Sequence, residues 1–301
     1  MSVLIVGSVA LDYLETPFGK MEQALGGSAT FCSISASYLT ENVRAVGIVG
    51  GDFPQKHVDY LTSRNIDLKG LVRIEDGKTF SWGGRYHEDM NTRDTLYTEL
   101  GVFEDFHPVI PDDWKQSEFV LLGNIHPSLQ IEVLDQIEEP KLVVCDTMNL
   151  WIDISLKELK AVIKRVNVLI LNDEEARMLT KHNNLIEAGK KMLRMGPSVV
   201  VIKKGEHGAV LMSKDNYFAI PAYPLEELKD PTGAGDTFAG GFIGWLDRTG
   251  DVSVANMRKA VVYGSVLASH CVEEFSIEGI RDLSEEQIAE RFNTFRTMST
   301  F

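Results

Sequence analysis

The chain has 301 residues, 44% hydrophobic and 25% charged, an ordinary composition long enough to bury a substantial core and free of low-complexity tracts. Its 44 acidic and 30 basic residues give a formal charge of −14, which argues against nucleic acid or an anionic membrane as the main partner but leaves room for an anionic ligand in a local pocket. Cys32, Cys145 and Cys271 are far apart in apolar settings and read as buried reduced thiols; with no cationic-then-apolar leader and no bilayer-length apolar run, a cytoplasmic protein is expected.

Residues 2–6 predict a buried strand ending in Gly7-Ser8. Residues 12–25 read as a polar turn around Pro17 and Gly19, and 29–39 as a helix rich in small side chains. Residues 43–49 predict a strand ending in Gly50-Gly51-Asp52, and 55–64 the helix after it. Residues 69–106 break the alternation, with strand-like pieces at 71–74, 79–86 and 95–100 and no helix between them. Strands follow at 119–122, 142–145, 168–171 and 199–202, each with a polar turn and a helical pattern after it; 238–246 and 260–271 read as helices.

Continuous apolar strands separated by helices specify a mostly parallel sheet covered on both faces. In such sheets ligands bind beyond the carboxyl ends of the strands. Here those ends are polar or glycine: Gly7-Ser8, Gly123-Asn124, Asp146, Asn172-Asp173 and Lys203-Lys204-Gly205. With no internal repeat and no Pro/Ser-rich linker, a single domain over residues 1–301 is expected, with residues 12–25 and 69–106 forming a small β-rich lid. A surface β-meander without consequence for function is the competing reading of 69–106.

The stretch from Asp230 to Gly241 is the most informative. Gly233, Ala234 and Gly235 are small enough for backbone to press against a ligand, and glycine can take positive φ. The helix that follows puts free N–H groups and the positive end of a dipole at the turn, which favours an anion. Asp236 would then lie beside that anion, an unfavourable place for a carboxylate unless it takes a proton. A plain capped turn is the competing reading.

These elements together resemble the ribokinase-like (PfkB) carbohydrate kinase family over essentially the whole chain. The resemblance is carried by residues 7–12, by Gly26-Gly27, by Asn172-Asp173-Glu174-Glu175, and above all by Asp-x-Thr-Gly-Ala-Gly-Asp-Thr-Phe at 230–238. It implies a three-layer α/β/α sandwich. It also implies that Asp236 takes the proton of a substrate hydroxyl as that oxygen attacks the γ-phosphoryl group of ATP, with the backbone of Gly233, Ala234 and Gly235 as anion hole. At an ordinary pKa of about 3.9, such an aspartate is a weak base that helps only late in the transfer.

The resemblance implies further that Asn172 and Glu175 act at Mg²⁺, Glu175 through metal-bound water, although the same pair also suits a helix cap. Lys204, Gly205 and Gly208 would neighbour the nucleotide, and the helix bearing Ser269 would wall the adenine. Asp230 and Thr232 fall where relatives bind a monovalent cation, but the loop that completes such a site reads Glu273-Glu274-Phe275-Ser276-Ile277, without glycine. On the acceptor side Asp12 would accept from two sugar hydroxyls, Gly26 and Gly27 would admit the substrate, and Asn124 would add a polar contact. Ala10 and Ser28 stand where ribokinases proper carry asparagine and lysine, which argues against ribose in the standard pose. Trp82, Arg85, Tyr86, His87, Asn91 and Arg93 belong to the lid, and Arg85 is the substrate-binding candidate among them.

The function so implied is an ATP- and Mg²⁺-dependent kinase, with K⁺ as a candidate activator, that phosphorylates a hydroxymethyl group of a sugar or sugar-like alcohol. The alternative is an adenosine-type nucleoside kinase with lid aromatics on the base, and a catalytically idle sugar-binding protein is third. The expected partners are the small-molecule substrate and a second copy pairing through the lid, with neither nucleic acid nor membrane.

Overall fold

Val3–Val6 is apolar and buried at every position, as a strand covered on both faces must be. The computed structural model describes residues 2–300. Its strands are β1 (Val3–Val6), β2 (Ala10–Thr16), β3 (Gly19–Gly26), β4 (Val43–Gly50), β5 (Ile66–Ile74), β6 (Ser81–Tyr86), β7 (Arg93–Glu99), β8 (Phe119–Leu122), β9 (Leu142–Asp146), β10 (Val168–Asn172), β11 (Val199–Lys203), β12 (Ala209–Ser213) and β13 (Tyr217–Ile220). Its α-helices are α1 (Ser28–Ser37), α2 (Gln55–Ser63), α3 (Pro127–Leu134), α4 (Asn149–Ile154), α5 (Leu156–Ile163), α6 (Asp173–Thr180), α7 (Leu185–Leu193), α8 (Ala234–Thr249), α9 (Val254–Cys271) and α10 (Glu285–Met298). No helix among the described residues is long and apolar enough to cross a membrane, and all three cysteines are free and buried.

Nine strands form one sheet in the order β13-β12-β11-β10-β9-β8-β1-β4-β5. β12 and β13 are antiparallel at one edge, and the other neighbours run parallel. Side chains alternate between the two faces of a strand. One set, including Val3, Ile5, Phe119, Leu121, Leu142, Val144, Val168, Ile170, Val199 and Val201, packs in a single core with Phe31, Phe238, Phe242, Val261 and Phe295 of α1, α8, α9 and α10. The other set packs with Leu129, Leu159, Ala176 and Ala188 of α3, α5, α6 and α7. Continued by one more step of two, the first set ends in Gly7, Gly123, Asp146, Asn172 and Lys203. The polar strand ends therefore share the face covered by α8.

A second sheet has the order β3-β2-β6-β7. Here the structure corrects two expectations. Residues 12–25 are not a polar turn but most of a hairpin, β2 against β3, in which Leu14, Ala24 and Leu25 turn inward and only Pro17 and Phe18 form the connection. Residues 71–74 belong to β5, an edge strand parallel to β4 in the large sheet, because Ile66 and Leu71 face the main core. The second sheet takes up the chain again at β6.

α8 and α9 begin at Ala234 and Val254, earlier than the apolar periodicity indicates, because Gly233 and Ser253 set the starts. Small residues let α8 lie close against α1: Gly244 lies so near that an added Cβ would stand 3.0 Å from the Ala36 Cα, and Ser35 Oγ donates to the Thr237 carbonyl at 2.6 Å. At Gly240 an added Cβ would collide with the backbone carbonyl of Cys32, which cannot rotate aside. Gly240→Ala is therefore expected to push the helices apart at a cost of about 1–3 kcal/mol, the usual range for overpacking a core. Calorimetry should read this as a fall of several degrees in Tm; an unchanged Tm would mean that the helices do not meet there.

Candidate active site

Asp230, Thr232 and Gly233 shape the entry to α8. Gly233 sits at φ 77°, and a Cβ there would run into the Phe31 ring, so the turn needs glycine on both counts. α8 has no side-chain cap. The Ala234 N–H donates to the Pro231 carbonyl at 3.3 Å, so this member of the expected anion hole is engaged within the turn. The Gly235 and Asp236 amides lie in the first turn, where helix geometry offers no intrahelical acceptor, at the positive end of the dipole.

The turn is braced from three sides. The buried Asp230 accepts from the Thr232 N–H at 2.9 Å and from the Ser276 N–H at 2.8 Å. Ser276 holds a left-handed φ of 55°, where glycine is the easier residue, and its Oγ donates to the Leu25 carbonyl at 2.6 Å. In this loop without glycine, a serine thus takes the left-handed conformation. Thr232 Oγ1 donates to the Tyr86 hydroxyl at 3.1 Å, which joins the second sheet to the turn. Each Asp230 oxygen keeps a lone pair, so the carboxylate can still serve a cation.

Asp236 Oδ1 is closed off from solvent and has no hydrogen-bond partner among the described residues. Burial, reinforced by the charges of Asp146 and Glu175 and opposed by Lys203, pushes its carboxyl up to about 7. This corrects the expectation of an ordinary, weak base: the carboxyl is matched to neutral pH. Lys203 Nζ lies 3.1 and 3.4 Å from the two oxygens of Asp146, with side-chain exposures of 17% and 5%. Burial works against the ammonium, but Asp146, Glu175 and Asp236 together hold its pKa above the usual lysine value. Burial also pushes Asp146 up, against the pull of Lys203. The two shifts argue differently about the pair, and contact with both oxygens supports the charged form.

Asn172 and Glu175 form a reciprocal capping box at the start of α6: Asn172 Oδ1 accepts from the Glu175 N–H at 2.8 Å, and Glu175 Oε2 accepts from the Asn172 N–H at 2.7 Å. Glu175 is nonetheless pushed up to about 7 by burial and by Asp146, with Lys203 opposing. Asp12 is buried and accepts from the Trp82 N–H at 3.1 Å; burial raises it to about 7 despite that bond. Gly26 makes room for the Asp12 carboxylate, and Gly27, at φ 93°, lies against the Ser8 carbonyl. Asn124 Oδ1 accepts from the Trp151 indole at 2.8 Å, leaving its NH₂ for another partner.

Three expected residues point elsewhere. Arg85 pairs with Glu15 at 3.0 Å and is half exposed; strand alternation puts it on the face of β6 opposite Tyr86. Lys204 is half-buried, with Nζ 3.4 Å from the His207 carbonyl, while Lys203 turns toward Asp146. Ser269 Oγ donates to the Val266 carbonyl and accepts from Arg291, so its hydroxyl is engaged within the protein. The alternation of β11 carried the signal for Lys203, which follows the inward Val199 and Val201.

The strand ends and the start of α8 suit a metal-bound polyphosphate. At Gly205, φ 53°, an added Cβ would meet no described atom within 4 Å, so bare backbone faces open space; Gly208, at φ 82°, abuts the Ile220 carbonyl and holds the loop. Among the described residues no group of three His, Cys, Asp or Glu side chains could hold a metal ion by itself. Mg²⁺ commonly needs only one or two carboxylates beside phosphates and water, and Glu175, through water, fits that donor set.

Comparison with known proteins agrees. The sequence model of the pfkB family carbohydrate kinases matches residues 3–279. The cytidine kinase of Thermococcus kodakarensis is 30% identical over 254 residues, covering 82% of this chain and 89% of that enzyme. The solved nucleoside kinase of Methanocaldococcus jannaschii, an archaeal member of the ribokinase family, matches with TM-score 0.79 at 23% identity, covering 98% of this chain and 99% of that one. A ribokinase-like protein of E. coli, solved in complex with ATP and Mg²⁺, matches with TM-score 0.78 at 18% identity and the same coverage. At these identities the two structures speak for the fold.

The carboxyl at Asp236 sets a pH-dependent test. Its folded pKa of about 7 lies above the ordinary value of 3.8, so its favourable contribution is full below about pH 4 and is lost as pH rises through about 7. Asp236→Asn is expected to raise Tm by a few degrees at pH 8 and to change it little at pH 4, in the absence of nucleotide and Mg²⁺. Equal Tm shifts at both values, by scanning calorimetry, would mean that the carboxyl is not perturbed.

Proposed function

The chain belongs to the PfkB carbohydrate kinase family, and within it we propose a nucleoside kinase that moves the terminal phosphoryl group of ATP to the hydroxymethyl group of a ribonucleoside. An ATP-dependent phosphotransferase acting on a sugar or nucleoside alcohol with a divalent metal is the family's chemistry. The observation that carries the nucleoside reading is the backbone N–H of Trp82 on Asp12 Oδ1, which puts the main chain of an indole-bearing residue beside the carboxylate that would hold sugar hydroxyls, while the indole Nε1 lies 3.3 Å from Thr95 Oγ1 of β7. A base attached to that sugar can stack on an indole, whereas a free sugar leaves it unused. The 30% identity to a cytidine kinase supports a pyrimidine base.

In this reading Asp12 accepts from two neighbouring hydroxyls and so orients the ribose. Asp236 takes the proton of the attacking hydroxyl as its oxygen bonds to the γ-phosphorus and the bond from that phosphorus to the β–γ bridging oxygen breaks. The amides of Gly235 and Asp236 face the charge on the transferred group. Bound Mg²⁺ would neutralise phosphate charge, with Glu175 orienting its water. The second sheet acts as a lid through Tyr86 and Thr232. A monovalent cation beside Asp230 and Thr232 belongs to the same proposal, and rates in K⁺ against tetramethylammonium read it.

Initial rates with Mg·ATP against cytidine, uridine, adenosine, inosine, ribose and deoxyribose test the acceptor. Cytidine is expected to exceed free ribose in kcat/KM by about a hundredfold. A free sugar that matched every nucleoside would overturn the nucleoside reading and leave the kinase standing. Asp236→Ala should lower kcat by about a thousandfold with nucleotide affinity nearly unchanged; more than about a tenth of wild-type kcat would remove Asp236 from the base role.

A further inference from the structure

Lys203 ends β11 on the face covered by α8, following Val199 and Val201. Besides its contacts with Asp146, Nζ lies 2.8 Å from the point where a Cβ on Gly235 would stand. The ammonium is thus set against the first turn of α8, beside the amides assigned to the anion hole. Glycine at 235 keeps that gap open. An ammonium has three donors, and Asp146 engages two of them at most. Asp236, whose Oδ1 has no partner among the described residues, stands in the same turn.

A buried ion pair kept for stability alone explains this poorly, since burying such a pair gains little over apolar packing. A lysine fixed by one carboxylate and open toward an anion site has a use there. We propose that Lys203 contacts the phosphoryl group being transferred, adding an ammonium to the hole made by the Gly235 and Asp236 amides, and that Asp146 is the positioning residue that aims it. The proposal rests on the kinase reading. Lys203 stays protonated throughout: the hydroxyl proton goes to Asp236, the new oxygen–phosphorus bond forms, and the bond to the departing ADP breaks.

The test compares calorimetric affinities for Mg·ADP and for the Mg complex of the imido analogue of ATP, in wild type, Lys203→Met, Lys203→Arg and the double variant Lys203→Met/Asp146→Asn. Lys203→Met is expected to lose about tenfold or more on the analogue, as for one charge-assisted hydrogen bond, and less than about threefold on ADP. Lys203→Arg should recover part of the loss. The double variant removes both members of the ion pair together, so Asp146 is not left without its lysine; it keeps the test informative if the single variant fails to fold, and it should show the same selective loss. Folded variants that lose ADP and analogue equally, or lose neither, overturn the proposal while the kinase reading stands. Wild type that bound neither nucleotide would overturn both.

Discussion

Asp146, Glu175 and Asp236 share the charge of Lys203, and the rest of the site is arranged around that imbalance. Three acids around one ammonium leave an excess of negative charge where water is largely excluded, and Glu175 and Asp236 respond by rising to about 7. Such a pocket is poorly satisfied alone. In the proposed reading a metal-bound polyphosphate would complete it from both sides, bringing cation to the carboxylates and anion to Lys203 and the start of α8. The residues that weaken the free chain are the ones the proposed chemistry would use, the usual compromise between stability and activity.

The fold creates this crowding through one geometric rule. Side chains alternate along each strand, so those that pack beneath α8 are continued past the strand end by Gly123, Asp146, Asn172 and Lys203. The glycines of α8 let it sit low on α1, which puts Asp236 among those ends. The second sheet enters from the opposite side, with Trp82 on Asp12 and Tyr86 on Thr232. Asp12 and the anion turn are thereby both tied to the second sheet.

Much of this was legible in the sequence. The stretch from Asp230 to Gly241 announces its turn, helix and acid because each depends on local residue types, and the strand-end carboxylates follow from the apolar runs before them. The choice between Lys203 and Lys204 was legible too, though only by counting strand parity rather than looking for the lysine nearer the glycine. Arg85 was not, since its partner Glu15 lies on another strand and only the pairing of β2 with β6 brings them together. Residues 12–25 were obscured by Pro17 and Gly19, which mark the hairpin connection and hide the strands on either side. Ser276 illustrates another limit: a left-handed serine is held by Asp230 and Leu25, neither of them near it in sequence.

The claim that the free site is a crowd of carboxyls held above their ordinary range is read most directly by NMR. The carboxyl carbon of Asp236, identified by its disappearance in Asp236→Asn, can be titrated in the protein without nucleotide or metal. The account predicts a midpoint near 7. A midpoint near 4, the value of an unperturbed aspartate, would contradict it.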